Sequence, residues 1–357
     1  SRGLGDVYKR QALRFGEKME NNTALKPRLH WIDVLKGVGI ILIMMGHINS
    51  RTKSVPWIYS VPVALFFALS GFIFSTFEIK KNIPFKEFLV KRLKSLIVPF
   101  ILFRLILVVY WLLVERRFRE LDMGPIWFLP ALFAAEIISY FICKKKNPLL
   151  NAIAFILFFT ALAGLKYARF DNYAIGKSIM IAINASAWYN FGVLAGYISK
   201  NLKIKKEYAA VAVCALFAIT TVCSIYNGTV SLYSSLFGKS ILLYIAENAL
   251  GTVALIMLCK YLLTKSAPLE YLGRYTIILF ATHEPIKRVL LKLTEIITTK
   301  LGKPLSIDFL QGNFFTSLII LLAVILIELI VIQIFRFIKS KTKSKGAFRI
   351  LFAFVQE

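Results

Sequence analysis

His30-Trp-Ile-Asp-Val-Leu-Lys-Gly-Val-Gly-Ile-Ile-Leu-Ile-Met-Met-Gly-His-Ile-Asn-Ser50 is long and apolar enough to cross a bilayer as a helix, yet it carries Asp33, Lys36 and His47. A helix turns ~100° per residue, so Lys36 and His47, eleven positions apart, differ by roughly 20° and share one face. Asp33 falls within about 40° of that face and stands at the i,i+3 spacing from Lys36, where side chains meet. One face of an apolar helix therefore presents an acid, a cation and an imidazole. Ionisable groups at membrane depth are costly, and a stripe of them marks a functional site turned toward the bundle interior or a wet cavity. The plainer alternative is a topogenic charge near the helix start, with Lys36 snorkelling, and a histidine of the core.

The same apolar character recurs along the whole chain. Of its 357 residues 58% are hydrophobic and only 18% charged, which predicts an all-α, polytopic membrane protein. About ten transmembrane helices can be drawn, at 31–50, 57–77, 96–114, 125–142, 148–165, 179–199, 208–226, 240–259, 268–283 and 313–335. The formal charge of +26 raises the possibility of a nucleic-acid partner, so the placement of the cations decides. With the N-terminus placed in the cytoplasm, 28 Lys and Arg fall inside, 14 outside, and Lys36, Arg104 and Arg274 within spans. That twofold bias predicts a cytoplasmic-membrane protein with both termini cytoplasmic, and it accounts for the basic balance without nucleic acid. The expected organisation is a cytoplasmic segment over 1–29, a membrane domain over 30–340 and a basic cytoplasmic tail over 341–357. Residues 1–18 look unlike the rest and are expected to be non-native, with Met19 the start. The first helix is expected to be its own insertion signal, no cleavable signal peptide being apparent. Cys143, Cys214, Cys223 and Cys259 have no metal-ligand spacing and read as small apolar residues. No metal is expected.

Taken in order, the second span holds Pro62, Ser70 and Gly71, a small surface that a neighbouring helix can approach. Lys91, Arg92 and Lys94 precede the third helix, either as a positive-inside anchor or as cations for an anionic cytosolic cofactor. Arg104 lies inside the third helix, where Glu136 of the fourth is a candidate partner. Trp127 opens the fourth helix, as an interfacial belt residue or a sugar-stacking one. Trp188, Tyr189 and Asn190 form a polar notch in the sixth span, and Glu247-Asn248 interrupts the eighth. The ninth runs Leu269-Glu-Tyr-Leu-Gly-Arg-Tyr-Thr-Ile-Ile-Leu-Phe-Ala-Thr-His-Glu-Pro285, with Arg274 near its inner end and His283-Glu284 near its outer end. Two histidines, each near the outer end of an odd-numbered helix and each preceded by a cation toward the cytoplasm, form a second constellation. Beyond Pro285, apolar residues at helical spacing with lysines between predict an amphipathic helix on the outer surface. The tenth span contains Glu328.

Several blocks in order carry a resemblance. They are Arg28-Leu-His-Trp-Ile-Asp-Val-Leu-Lys-Gly-Val-Gly-Ile with Gly46-His47, Pro62 to Gly71, Lys91 to Pro99, Trp127-Phe-Leu-Pro-Ala-Leu-Phe, and Tyr271-Leu-Gly-Arg-Tyr leading to His283. Together the chain resembles the integral-membrane acyltransferases of type 3, and within them the fucose 4-O-acetylase-like sugar acetyltransferases. The resemblance implies that Lys36 and His47, a basic residue and a histidine ten intervening positions apart, are essential. Many relatives carry Arg in place of Lys36, and an Arg-x-x-Arg pair where this chain has Arg92-Leu-Lys-Ser95. The resemblance further implies acetyl-CoA as a co-substrate on the cytoplasmic side and a glycan or lipid-linked sugar hydroxyl as acceptor.

Acyl transfer to a hydroxyl needs a base, donors for the tetrahedral oxyanion, and a site dry enough to protect the thioester. His47 is the expected base, or a nucleophile. Lys36 and Asp33, about 16–21 Å away along the helix, are expected at the donor end. His283 is expected as a second base or an oxyanion donor, with Arg92, Lys94, Trp127, Glu136 and Arg274 in donor or substrate binding. The rival class is a transporter or flippase for an anionic or lipid-linked glycan, in which the same charges would line a pathway.

Overall fold

The computed structural model describes residues 29–49, 56–116, 124–200 and 202–342. Expectations that fall on 1–28 and 343–357, including the start at Met19 and most of the basic tail, lie outside the described residues, as do Arg51, Lys53, Arg117 and Arg119. Contacts group residues 1–30 and 31–357 into separate units. The described helices lie in the second, save that His30 begins the first of them.

Twelve helices follow one another among the described residues, because in a bilayer a helix satisfies each backbone N–H and C=O within its own segment. They are α1 (His30–Ile48), α2 (Val61–Glu78), α3 (Phe85–Glu115), α4 (Gly124–Lys144), α5 (Pro148–Tyr167), α6 (Ala174–Ser199), α7 (Lys206–Asn227) and α8 (Ile241–Leu262), then α9 (Ala267–Arg274), α10 (Thr276–Lys300), α11 (Ile307–Gly312) and α12 (Phe314–Thr342). The only strands among the described residues are β1 (Val230–Ser231) and β2 (Leu236–Phe237), an antiparallel pair with Val230 opposite Phe237. Local chemistry sets several starts. Asn147 and Ser240 cap α5 and α8 by accepting from the backbone N–H of Leu149 and Leu242, and Pro148 occupies the first turn of α5.

Nine of the described helices are long and apolar enough to cross a membrane, α1 to α8 and α12. Their outward faces carry Leu105, Leu113, Leu157, Val222 and Leu326, all exposed, as lipid-facing side chains are. The chain is thus an all-α, multi-pass membrane protein. Its buried side chains form two groups. One joins α2, α4, α5, α6 and α8 around Phe67, Trp188 and Tyr244. The other joins α1, α3, α10 and α12 around Met44, Phe103, Leu279 and Val324. Phe66, Phe100 and Phe280 pack against both.

The ninth predicted span differs from expectation. Helix geometry breaks at Tyr275, between α9 and α10, and α10 then continues unbroken through Pro285 to Lys300. Proline removes one backbone bond, a loss that neighbouring helices let membrane helices absorb. The predicted surface helix after Pro285 is therefore the second half of α10. Leu291 within it is buried in the same group as Ile278 and Leu279.

Close backbone approach seats α9 on α1. A Cβ on Gly37 would penetrate the carbonyl of Leu269, and one on Gly273 would penetrate the carbonyl of Asp33. Gly71 of α2 likewise lies against the carbonyl of Tyr189 in α6, the approach its small surface predicts. Replacing Gly273 by alanine is expected to cost about 1–3 kcal/mol, because the obstacle is backbone and cannot rotate away. Thermal unfolding in detergent should show it as a lowered midpoint, and an unchanged midpoint would contradict the close approach.

Candidate functional site

α1 places its charged residues at two levels. At the end near His30, Asp33 is buried and its carboxylate lies 4.0 Å from the Lys36 ammonium. The contact of Gly273 with Asp33 brings Arg274, the last residue of α9, to the same end. There the Arg274 Nε donates to the carbonyl of Glu270 at 3.4 Å.

The cations before the third helix fall at this end as well, since Trp31 meets Phe72 edge-on and Phe74 meets Phe88 within α3. Lys94 is exposed, but Arg92 is committed to carboxylates. Its Nε lies 2.7 Å from Glu136 Oε2 and its second terminal nitrogen donates to Glu78 Oε2 at 3.0 Å. Lys91 donates to the other Glu78 oxygen at 2.6 Å. Glu136 is 1% exposed and also accepts from the Ser70 hydroxyl at 2.6 Å. The expected pairing of Glu136 with Arg104 is thus replaced by Arg92. Arg104 instead lies over the Trp111 ring, 5.1 Å from its centre.

At the far end of α1, His47 meets His283 of α10 with ring centres 5.0 Å apart and planes at 72°. Both rings are tied down in the same way. The Nδ1 of His47 lies 2.9 Å from the carbonyl of Ile43, and that of His283 lies 2.9 Å from the carbonyl of Leu279. A carbonyl can only accept, so each Nδ1 carries the hydrogen, and each neutral ring presents Nε2 as an acceptor. His283 is 1% exposed and its Nε2 has no hydrogen-bond partner among the described residues. His47 is exposed, and what it faces is a pair of cavities.

One cavity, of about 290 Å³, lies between His47, Ile58, Tyr59, Glu284 and Lys287. The other, of about 330 Å³, runs from His47 to Trp127, the turn at Leu232 and Tyr233, and Arg288. The Trp127 and Tyr233 rings meet tilted at 45°, with centres 5.2 Å apart. Trp127 therefore stands in the wall of this cavity. A third, larger space of about 580 Å³ adjoins through Glu284, Lys287 and Arg288 and extends to Tyr110 and Glu115 of α3 and Gln311 of α11.

The geometry thus brings His47, His283 and Trp127 together, leaves Asp33, Lys36 and Arg274 at the opposite level of α1, and sets Arg92 and Glu136 against each other. Lys94 meets none of these. Glu284, noted beside His283, lines the site, and Tyr59, Lys287 and Arg288 line it without having been singled out. The periodicity of α10 continuing past Pro285 was the available signal for Lys287 and Arg288. Tyr59, whose hydroxyl donates to the carbonyl of Asn49 at 2.5 Å, had none.

The remaining buried polar clusters lie elsewhere. The notch in α6 is an interior network, in which Asn184 and Trp188 meet the Tyr244 hydroxyl of α8, and Asn190 donates to Ser139 of α4 at 2.8 Å. Glu247 does not interrupt α8; it is buried within it and accepts from Ser60 at 3.3 Å. Glu328 of α12 is buried against the Thr282 hydroxyl, 2.8 Å away.

A family model described as an acyltransferase domain matches residues 29–333, from the first described residue almost to the end of α12. No curated protein and no solved structure matches the chain.

Proposed function

This chain belongs to the acyltransferase-3 family and is a membrane acyltransferase, and we propose that it moves an acetyl group from cytoplasmic acetyl-CoA to a sugar hydroxyl on the other side of the membrane. In this reading the acceptor is a cell-envelope or exported glycan, free or lipid-linked, as in the fucose 4-O-acetylase-like branch the chain resembles. The twofold excess of Lys and Arg on one side supports a cytoplasmic Lys36 end with both termini inside, and the plasma membrane is the membrane in this reading.

The observation that carries the proposal is the histidine pair. Two imidazoles meet with both Nδ1 atoms on backbone carbonyls, His47 lining a cavity walled by Trp127 and Tyr233 and His283 buried against it. A sugar stacked on that wall directs a hydroxyl toward His47, which is open to the cavity. His47 Nε2 takes the hydroxyl proton as the oxygen bonds to the thioester carbonyl carbon. The tetrahedral oxyanion collapses, the carbon–sulfur bond breaks, and the departing thiolate takes the proton back from His47, which returns to its neutral form. Buried His283 stands against His47 with its Nδ1 held by the carbonyl of Leu279, and its Nε2 acceptor is available to share the proton that His47 takes up.

Acetyl-CoA is too charged to cross, so only its acyl arm enters. Asp33 and Lys36 stand about 16–21 Å below His47, with Arg274 at the same end of α1, where an ammonium and a guanidinium suit phosphate or the pantetheine amides. Between the two levels lies a narrow apolar cavity of about 40 Å³ among Ile40, Phe66, Phe128 and Phe280. Such a lining suits an acyl arm and keeps bulk water from the thioester. Exposed Lys94 adds a cation at the same end.

The test is transfer of label from radioactive acetyl-CoA in inverted vesicles with the glycan pool present. Label is expected in a glycan or lipid-linked sugar inside the vesicle. Solute movement with no consumption of acetyl-CoA would refute the proposal in favour of a transporter.

A further inference from the structure

Lys287 is the most buried charge beside the histidine pair, 7% exposed. Its ammonium donates to the backbone carbonyl of His47 at 3.1 Å and lies 2.8 Å from Glu284 Oε2. The other oxygen of Glu284 accepts from Arg288 Nε at 2.9 Å, and Arg288 reaches Glu115 at the end of α3, 3.2 Å away. One chain of charges thereby joins the ends of α1 and α3 to the middle of α10.

His47 is the last residue but one of α1. The carbonyls of a helix's last turn have no partner further along the helix, and a cation beside them is favourable. A buried ammonium is a poor way to hold two helices together. An apolar side chain of similar volume does so as well or better, because it avoids desolvating the charge. A cation, however, can bind the carbonyl of the residue whose ring works in the cavity. The ring hydrogen bond of His47 runs to Ile43, in the same final turn, so fraying of that turn would release both backbone and imidazole.

We propose that Lys287 is the positioning residue of the site. It caps the carbonyl of His47 and holds the last turn of α1, so that the imidazole keeps its Nδ1 on Ile43 and its Nε2 in the cavity. Glu284 holds Lys287 in turn. The tether is a statement about structure; its bearing on turnover rests on the reading of His47 as the base.

Two substitutions in the full-length protein in lipid discs test it, Lys287→Met, which keeps length and removes charge, and Lys287→Arg, which keeps charge. Hydrogen exchange of the peptide over 43–49, which needs no substrate, is expected to rise about tenfold in Lys287→Met, the scale of a lost cation at a helix end. It should stay near the unsubstituted rate in Lys287→Arg. Turnover of acetyl-CoA is expected to fall about 100-fold in Lys287→Met, as for a catalytic group displaced by about 1 Å. KM for acetyl-CoA should stay within about twofold, and Lys287→Arg should recover most of kcat. Unchanged exchange over 43–49 overturns the tether. Raised exchange with undiminished kcat overturns its role in the reaction, as does a fall in kcat matched by a fall in unfolding midpoint and not recovered by Lys287→Arg. Should the unsubstituted protein consume no acetyl-CoA, the acetyl-transfer reading fails by itself, and exchange still supports or overturns the tether.

Discussion

His47→Ala is expected to lower acetyl transfer about 10²–10⁴-fold, the range that a positioned general base contributes. The ring is exposed to the cavity rather than packed in a core, so its removal leaves little void and the unfolding midpoint should hold within a few degrees. That combination, a large loss of turnover in a stable protein, separates a reacting imidazole from a structural one. His283→Ala differs in a telling way. Its ring is 1% exposed, so the same truncation opens a cavity beside Leu279 and Phe280, and stability should fall together with activity. Label transfer and thermal unfolding, measured side by side on both variants, check the pair. Full turnover in His47→Ala would remove the proposed mechanism.

Arg92→Met is expected to destabilise the protein by about 3–5 kcal/mol, since it strands the Glu136 carboxylate as an unpaired charge in the bundle. Glu136 is 1% exposed, and besides Arg92 its neighbour is the Ser70 hydroxyl. Adding Glu136→Gln removes the stranded charge, so the double variant should regain most of the loss. Unfolding of the four proteins in detergent measures the coupling directly. The outcome also bears on the role the resemblance implies for this segment. A guanidinium whose work is to hold the CoA anion would, on removal, raise KM for acetyl-CoA and leave stability alone. Placed between Glu136 and Glu78, Arg92 has its fork directed at carboxylates within the protein, which leaves Lys94, with Lys91 on Glu78, as exposed cations of the segment.

Some of this architecture was legible along the chain because the signal is local. A run of apolar residues about the length of a bilayer is a helix wherever it occurs, and the face shared by Asp33, Lys36 and His47 follows from ~100° per residue alone. The placement of His47 and His283 near the outer ends of their predicted spans came from counting residues, and although α10 runs on past His283 their rings do meet. The 4.0 Å approach of Asp33 to Lys36 is likewise an i,i+3 contact that spacing predicts. Such inferences need only one helix at a time.

Contacts between helices are another matter. Glu136 had two arginines within reach of a sequence argument, and hydropathy ranks neither; which guanidinium meets it depends on how α3 is rotated against α4. Gly37 and Gly273 are separated by more than two hundred positions, and only the seating of α9 on α1 makes each necessary to the other. Lys287 read as one of several lysines on a surface helix until α10 proved continuous through Pro285, which turned that lysine inward onto the carbonyl of His47. Periodicity along the chain thus determined the helices, the face each buries and the candidate base. The rotation and close approach of helices distant in sequence, set by small residues and buried charge pairs, decided which partners hold that base in place.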